Sequence, residues 1–149
     1  MPLSPPVRRT HLHARRMAID GFVRDDGRWE IEGRILDNRS YAFDNEWRGR
    51  VEPETPLHEM WARLTLEDDL AIAAVEVATD QSPFAICPEA LPHFQRLVGV
   101  KIGSGFAKIL RETVGGKRGC THIVDMLLQM ATVALQTKIP PQARAARDR

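Results

Sequence analysis

His58-Glu59-Met60-Trp61-Ala62-Arg63-Leu64-Thr65-Leu66, followed by Glu67-Asp68-Asp69 and then Leu70 to Thr79, decides the fold class. Met60, Ala62, Leu64 and Leu66 fall on alternate positions, the period of a strand with one buried face. The three acids after Leu66 supply a polar turn, and the apolar run from Leu70 resumes as a returning strand. This is an antiparallel hairpin. Upstream, Arg28 to Leu36 alternates in the same way, with Trp29, Ile31 and Ile35 on one side and Glu30, Glu32 and Arg34 on the other. Asp37-Asn38-Arg39-Ser40 has turn composition, so a first hairpin is expected to return through Tyr41 and Phe43.

Downstream the period changes. Ser82-Pro83 is a helix-start signal, and Ser82 to Val98 is expected to form short helices interrupted near Pro88 and Pro92. Ser104 to Val114 is a further helix, closed by Gly115-Gly116. Thr121 opens the longest one, where Ile123, Met126, Leu127, Met130, Val133 and Ala134 recur at helical spacing to about Thr137. Strands first and helices afterwards predict an α+β domain, an antiparallel sheet of two hairpins with helices packed on one face. The expected organisation is a single domain over residues 1–139, with a basic arm at 1–19 and a flexible tail at 140–149.

The chain has 149 residues, 43% apolar and 28% charged, which suits one hydrophobic core. With 21 basic against 20 acidic residues there is no net field to gather nucleic acid or an anionic membrane. The N-terminal stretch lacks the apolar run of a secretory signal, and no window approaches the roughly 20 apolar residues of a membrane span. Two cysteines are too few for a secreted disulfide framework. A cytoplasmic location follows as an expectation, with free thiols or ligands.

The chemistry is expected at those thiols and nearby histidines. Cys120 precedes Thr121 at a helix start and follows Lys117 and Arg118, surroundings that lower a thiol pKa. His122, two residues on, is a second donor. Cys87 stands at another helix start, and His58 opens a strand, so the hairpin can bring His58 and Cys87 to one sheet edge. Two cysteines and two histidines form a set suited to zinc or iron. His58, Cys87, Cys120 and His122 are therefore the candidate metal ligands; Glu59 is a candidate outer carboxylate or ligand, but alternation points it opposite to His58 and favours a solvated role. The alternative readings are a nucleophilic Cys120 in a small enzyme acting on an acyl or aromatic metabolite, and an interaction module with a protein partner in which the cysteines only pack. Gly99-Val100-Lys101-Ile102-Gly103-Ser104-Gly105 lacks a phosphate-loop signature and reads as a plain loop. Asp25-Asp26-Gly27 reads as a turn.

The order of His58, Pro83 to Cys87 and Gly119-Cys120-Thr121 resembles the NifU-like or IscU-like iron–sulfur cluster scaffold proteins, over about residues 58–136. That resemblance implies a scaffold-like fold and three thiol positions. Here His58 stands at the first, Met60 replaces a carboxylate and Gly119 a histidine, which favours a bound metal over cluster assembly. Arg24-Asp25-Asp26-Gly27, Trp29-Glu30-Ile31-Glu32-Gly33, Pro56-Leu57-His58-Glu59-Met60 and Gly119-Cys120-Thr121-His122-Ile123 look like a bacterial family catalogued as a domain of unknown function, a resemblance that spans nearly the whole chain and implies no activity.

Overall fold

The computed structural model describes residues 2–149. Four long strands, β1 (His13–Val23), β2 (Trp29–Arg39), β5 (Pro56–Leu66) and β6 (Ile72–Gln81), form an antiparallel sheet in the order β1-β2-β5-β6. A two-stranded ribbon, β3 (Phe43–Asn45) and β4 (Gly49–Val51), bulges out between β2 and β5. The expected second hairpin is β5–β6. Its turn is fixed by Asp69, whose carboxylate accepts from the Ala71 N–H at 3.0 Å, and by Leu70 in the left-handed region at φ 66°.

The first hairpin differs from the expectation. β2 pairs with β1, not with Tyr41–Phe43, and residues 13–19 of the expected arm are strand. Asp25-Asp26-Gly27 makes the connecting turn: Asp26 accepts from the Arg28 N–H at 3.2 Å and Gly27 takes φ 81°. β1 escapes detection because only Met17, Ile19 and Val23 carry its apolar stripe, with Gly21 breaking it. Gly21 is there for a reason found elsewhere in the chain, since a Cβ would run into Thr137. Asp37-Asn38-Arg39 ends β2 instead of forming a turn.

All helices lie on one face of the sheet. Residues 87–97 form a continuous 3-10 segment that buries Phe94 and Leu97, where interrupted helices from Ser82 were expected. Its start is delayed because Ser82 Oγ turns to donate to the Phe84 carbonyl at 3.1 Å. Helix α1 (Phe106–Val114) buries Phe106, Leu110 and Val114, and α2 (Thr121–Lys138) buries Ile123, Met126, Leu127 and Met130. These meet Trp29, Ile31 and Ile35 of β2 and Met60, Leu64 and Leu66 of β5 in a single core. α2 crosses β2 at Gly33, where a Cβ would stand 2.8 Å from Met126 Sδ and 2.9 Å from Met130 Sδ. The missing side chain thus sets how closely the helix approaches.

The other sheet face is polar: Arg63 donates to Glu32 at 2.8 Å and to Glu76 at 3.0 Å, and Arg34 pairs with Glu59 and lies over the Trp61 ring. The stretch expected as a flexible tail carries a short helix, α3 (Pro141–Arg147), whose Arg147 pairs with Asp68. No helix among the described residues is long and apolar enough to cross a membrane.

Candidate metal centre

The apolar face of the sheet ends in charge. Arg15, Asp37 and His58 are direct cross-strand partners on β1, β2 and β5, because Arg15 pairs with Asp37 and Asp37 with His58 in the two registers. Asp37 continues the buried positions Trp29, Ile31, Gly33 and Ile35 along β2, and His58 continues Met60, Ala62, Leu64 and Leu66 along β5. Side chains two apart on a strand share a face, so this row lies under the helices. His122, in the first turn of α2, closes it from above; its ring centroid is 4.0 Å from that of His58, at an interplanar angle of 45°.

Asp37 is 1% exposed and must therefore be paired. Arg15 supplies a two-pronged pair, Nε to Oδ1 and Nη2 to Oδ2, both at 2.7 Å. His58 Nδ1 adds a third contact, 2.8 Å from Oδ2. Arg15 Nη2 also lies 2.6 Å from His122 Nδ1. A guanidinium only donates, so His122 Nδ1 is the acceptor and its proton sits on Nε2. A carboxylate only accepts, so His58 carries its proton on Nδ1 and keeps a lone pair on Nε2.

The same contacts set the charges. For Asp37, burial favours the neutral acid, but the Arg15 fork and His58 overcome it and hold the carboxyl below its ordinary range. For His58, burial and the neighbouring His122 outweigh the attraction of Asp37 and push the imidazole down to about 4. Burial and Arg15 lower His122 as well. Near neutral pH the row therefore holds one carboxylate, one guanidinium and two uncharged imidazoles.

One carboxylate oxygen of Asp37, one nitrogen of His58 and one nitrogen of His122 all lie within 4.8 Å of one another. This is the group of ligand atoms that converges among the described residues. Of the residues expected from the sequence, His58 and His122 come together there, and the two cysteines stand outside it. Cys120 directs its thiol to Met60 Sδ at 3.7 Å. Burial raises its pKa despite the amide N–H groups of Ile123 and His122, which corrects the expectation of a lowered value. A helix start favours a thiolate only where solvent or a cation stabilises the charge, and here the sulfur is packed against the core. Cys87 and Cys120 line one cleft of about 380 Å³ with His93, Lys117 and His122.

Glu59 points to the opposite face, as alternation requires, and pairs with Arg34. Of the N-terminal histidines, His13 reaches toward the row, with Nε2 3.9 Å from Asp37 Oδ1. Asp37 and Arg15 are the residues that sequence reading passes over. The signal for Asp37 was available: counted in twos from Trp29, it is an acid on the apolar face of a strand. Arg15 has no comparable mark until the β1 register is known.

No curated protein and no solved structure matches the chain. The family described as "protein of unknown function (DUF2889)" matches residues 13–136, a stretch that runs from the first residue of β1 to near the end of α2 and contains Arg15, Asp37, His58, Cys87, Cys120 and His122. The chain belongs to the DUF2889 family, and its row of buried charge lies wholly within the family's domain.

Proposed function

We propose that this domain binds a divalent transition metal of the zinc or iron class through Asp37, His58 and His122. The observation that carries the reading is the convergence of two imidazoles and a carboxylate within 4.8 Å at the buried end of the sheet. Two nitrogens and an oxygen make a borderline-soft donor set, suited to zinc or ferrous iron and less so to calcium or magnesium. Ligands must be deprotonated to bind. The lowered pKa of both imidazoles and of Asp37 keeps them so at neutral pH.

Arg15 pairs with the Asp37 carboxylate through both oxygens and already offsets its charge. Binding exchanges one cation for another, and Arg15, a third exposed, has water to turn to. The cysteines then belong to the wall of the adjoining cleft. A nucleophilic Cys120 is the weaker alternative because burial keeps it a thiol. His58 as a general base is also disfavoured, since a pKa of about 4 leaves little driving force for accepting a proton near neutrality.

Calorimetric titration of zinc chloride into untagged, chelator-stripped protein tests the reading. One zinc per chain is expected, and His58→Ala and His122→Ala should each abolish it. Absence of binding in the wild type, for both zinc and anaerobic ferrous iron, would overturn it.

A further inference from the structure

Beside the row lies a second cleft of about 380 Å³, lined by Arg39, Phe43, Leu57, Pro83 and Phe84 together with His58 and His122. Asp44 and Asn45 also line it; Asp44 is exposed, and Asn45 is committed to the Pro83 carbonyl and the Trp47 and Arg48 amides. Arg39 is the unusual member. Its guanidinium lies over the Phe43 ring, 4.1 Å from the centroid, and 5.7 Å from that of Tyr41. Among the described residues its side chain makes no hydrogen bond and no ion pair. Of the neighbouring arginines, Arg15 holds Asp37 and His122, and Arg48 donates to the Pro56 carbonyl.

Stacking uses the face of a guanidinium and leaves its N–H edge free, and that edge matches a carboxylate with two parallel hydrogen bonds. Phe84 is 62% exposed at the same cleft, an apolar surface that the fold leaves uncovered. A stacked cation, apolar walls and two imidazoles lining one cleft match an occupant with one anionic group and a flat apolar body.

We propose that this cleft binds a small aromatic carboxylate, its carboxyl group held by Arg39, its ring between Phe43, Leu57 and Phe84, and its far end directed at His58 and His122. The direction of the far end rests on the metal reading of those histidines, whereas the anchoring by Arg39 does not. The ligand is identified only by class: an acid with one carboxylate and a flat apolar body, of a size that a cleft of about 380 Å³ accepts.

Amide-resolved NMR titration of the full chain with benzoate, with and without one equivalent of zinc, tests this. Benzoate is expected to shift the amides of Arg39, Phe43, Leu57 and Phe84, and uncharged benzamide of similar shape is not. Arg39→Met should weaken benzoate binding by about tenfold or more, the range of a lost two-pronged charged hydrogen bond. Phe84→Glu, at an exposed position that folding does not need, should weaken it comparably by placing a like charge at the mouth. The proposal is overturned if benzamide binds as well as benzoate, if the shifts map elsewhere, or if both variants bind benzoate as the wild type does. Benzoate bound at Arg39 in protein that takes up neither zinc nor ferrous iron would keep the cleft and sink the metal; zinc bound without benzoate would do the reverse.

Discussion

Replacing His58 by asparagine in chelator-treated protein should flatten the acid limb of the stability curve. The imidazole has an ordinary pKa of 6.5 and one of about 4 in the fold. Between these values the unfolded chain takes up a proton that the folded chain refuses, so unfolding becomes easier as pH falls. The contribution is fully present above 6.5 and is lost on the way down to about 4. Integrating one such group gives a loss of about 2 kcal/mol between about pH 7.5 and about pH 5, approaching roughly 3 kcal/mol lower still, to order of magnitude.

Asparagine keeps a donor near the place of Nδ1 and removes the titration. Urea unfolding across that range, followed by far-ultraviolet circular dichroism, gives both curves. The wild type should lose about 2 kcal/mol more than His58→Asn over the window, and the variant should keep a smaller slope from His122, whose pKa is lowered in the same direction. Parallel curves would mean that His58 titrates alike in the folded and unfolded chains and is not a buried, neutral imidazole.

Asp37→Asn keeps the shape but loses the charge that three contacts of 2.7–2.8 Å address. Partly exposed Arg15 can recover water, so a loss of about 2–3 kcal/mol in urea is expected, below the full cost of stripping a buried pair; a loss under about 0.5 kcal/mol, the size of an ordinary surface change, would contradict the pairing. Gly33→Ala should cost about 1–3 kcal/mol by pushing Met126 and Met130 off the sheet, and an unchanged midpoint would show that α2 does not sit so close. Gly119→Ala would overlap the Val114 carbonyl oxygen, a backbone atom that cannot swing aside, so it should both destabilise the fold and weaken zinc binding by moving the turn before His122. Cys120 should react with iodoacetamide more slowly than a free thiol at the same mildly alkaline pH, since burial raises its pKa; faster reaction would restore the nucleophile reading.

The sheet and helix layers were legible because β5, β6, α1 and α2 carry their periods openly. β5 shows alternate Met60, Ala62, Leu64 and Leu66, and α2 buries Ile123, Met126, Leu127 and Met130. β1 was not legible, because it is an edge strand whose outer positions are solvated and whose inner face yields Gly21 to Thr137. That loss had a second consequence for the site. Without β1 there is no partner for Asp37, and an unpartnered Asp-Asn-Arg run has the composition of a turn. His58 and His122 are marked as donors by residue type and position; Asp37 is marked only as an acid on the apolar face of β2, and its pairing with Arg15 and His58 required the register. Local sequence suggested a low thiol pKa at Cys120, while burial opposes it, in a place where the thiol packs on Met60, sixty residues away.

X-ray absorption at the zinc edge of protein loaded with one equivalent of metal reads the ligand set at Asp37, His58 and His122. A first shell of nitrogen and oxygen at about 2.0–2.1 Å with the outer-shell signature of two imidazoles is expected, lost in the double variant His58→Ala/His122→Ala. A sulfur shell at about 2.3 Å would contradict it and move the site to Cys87 and Cys120.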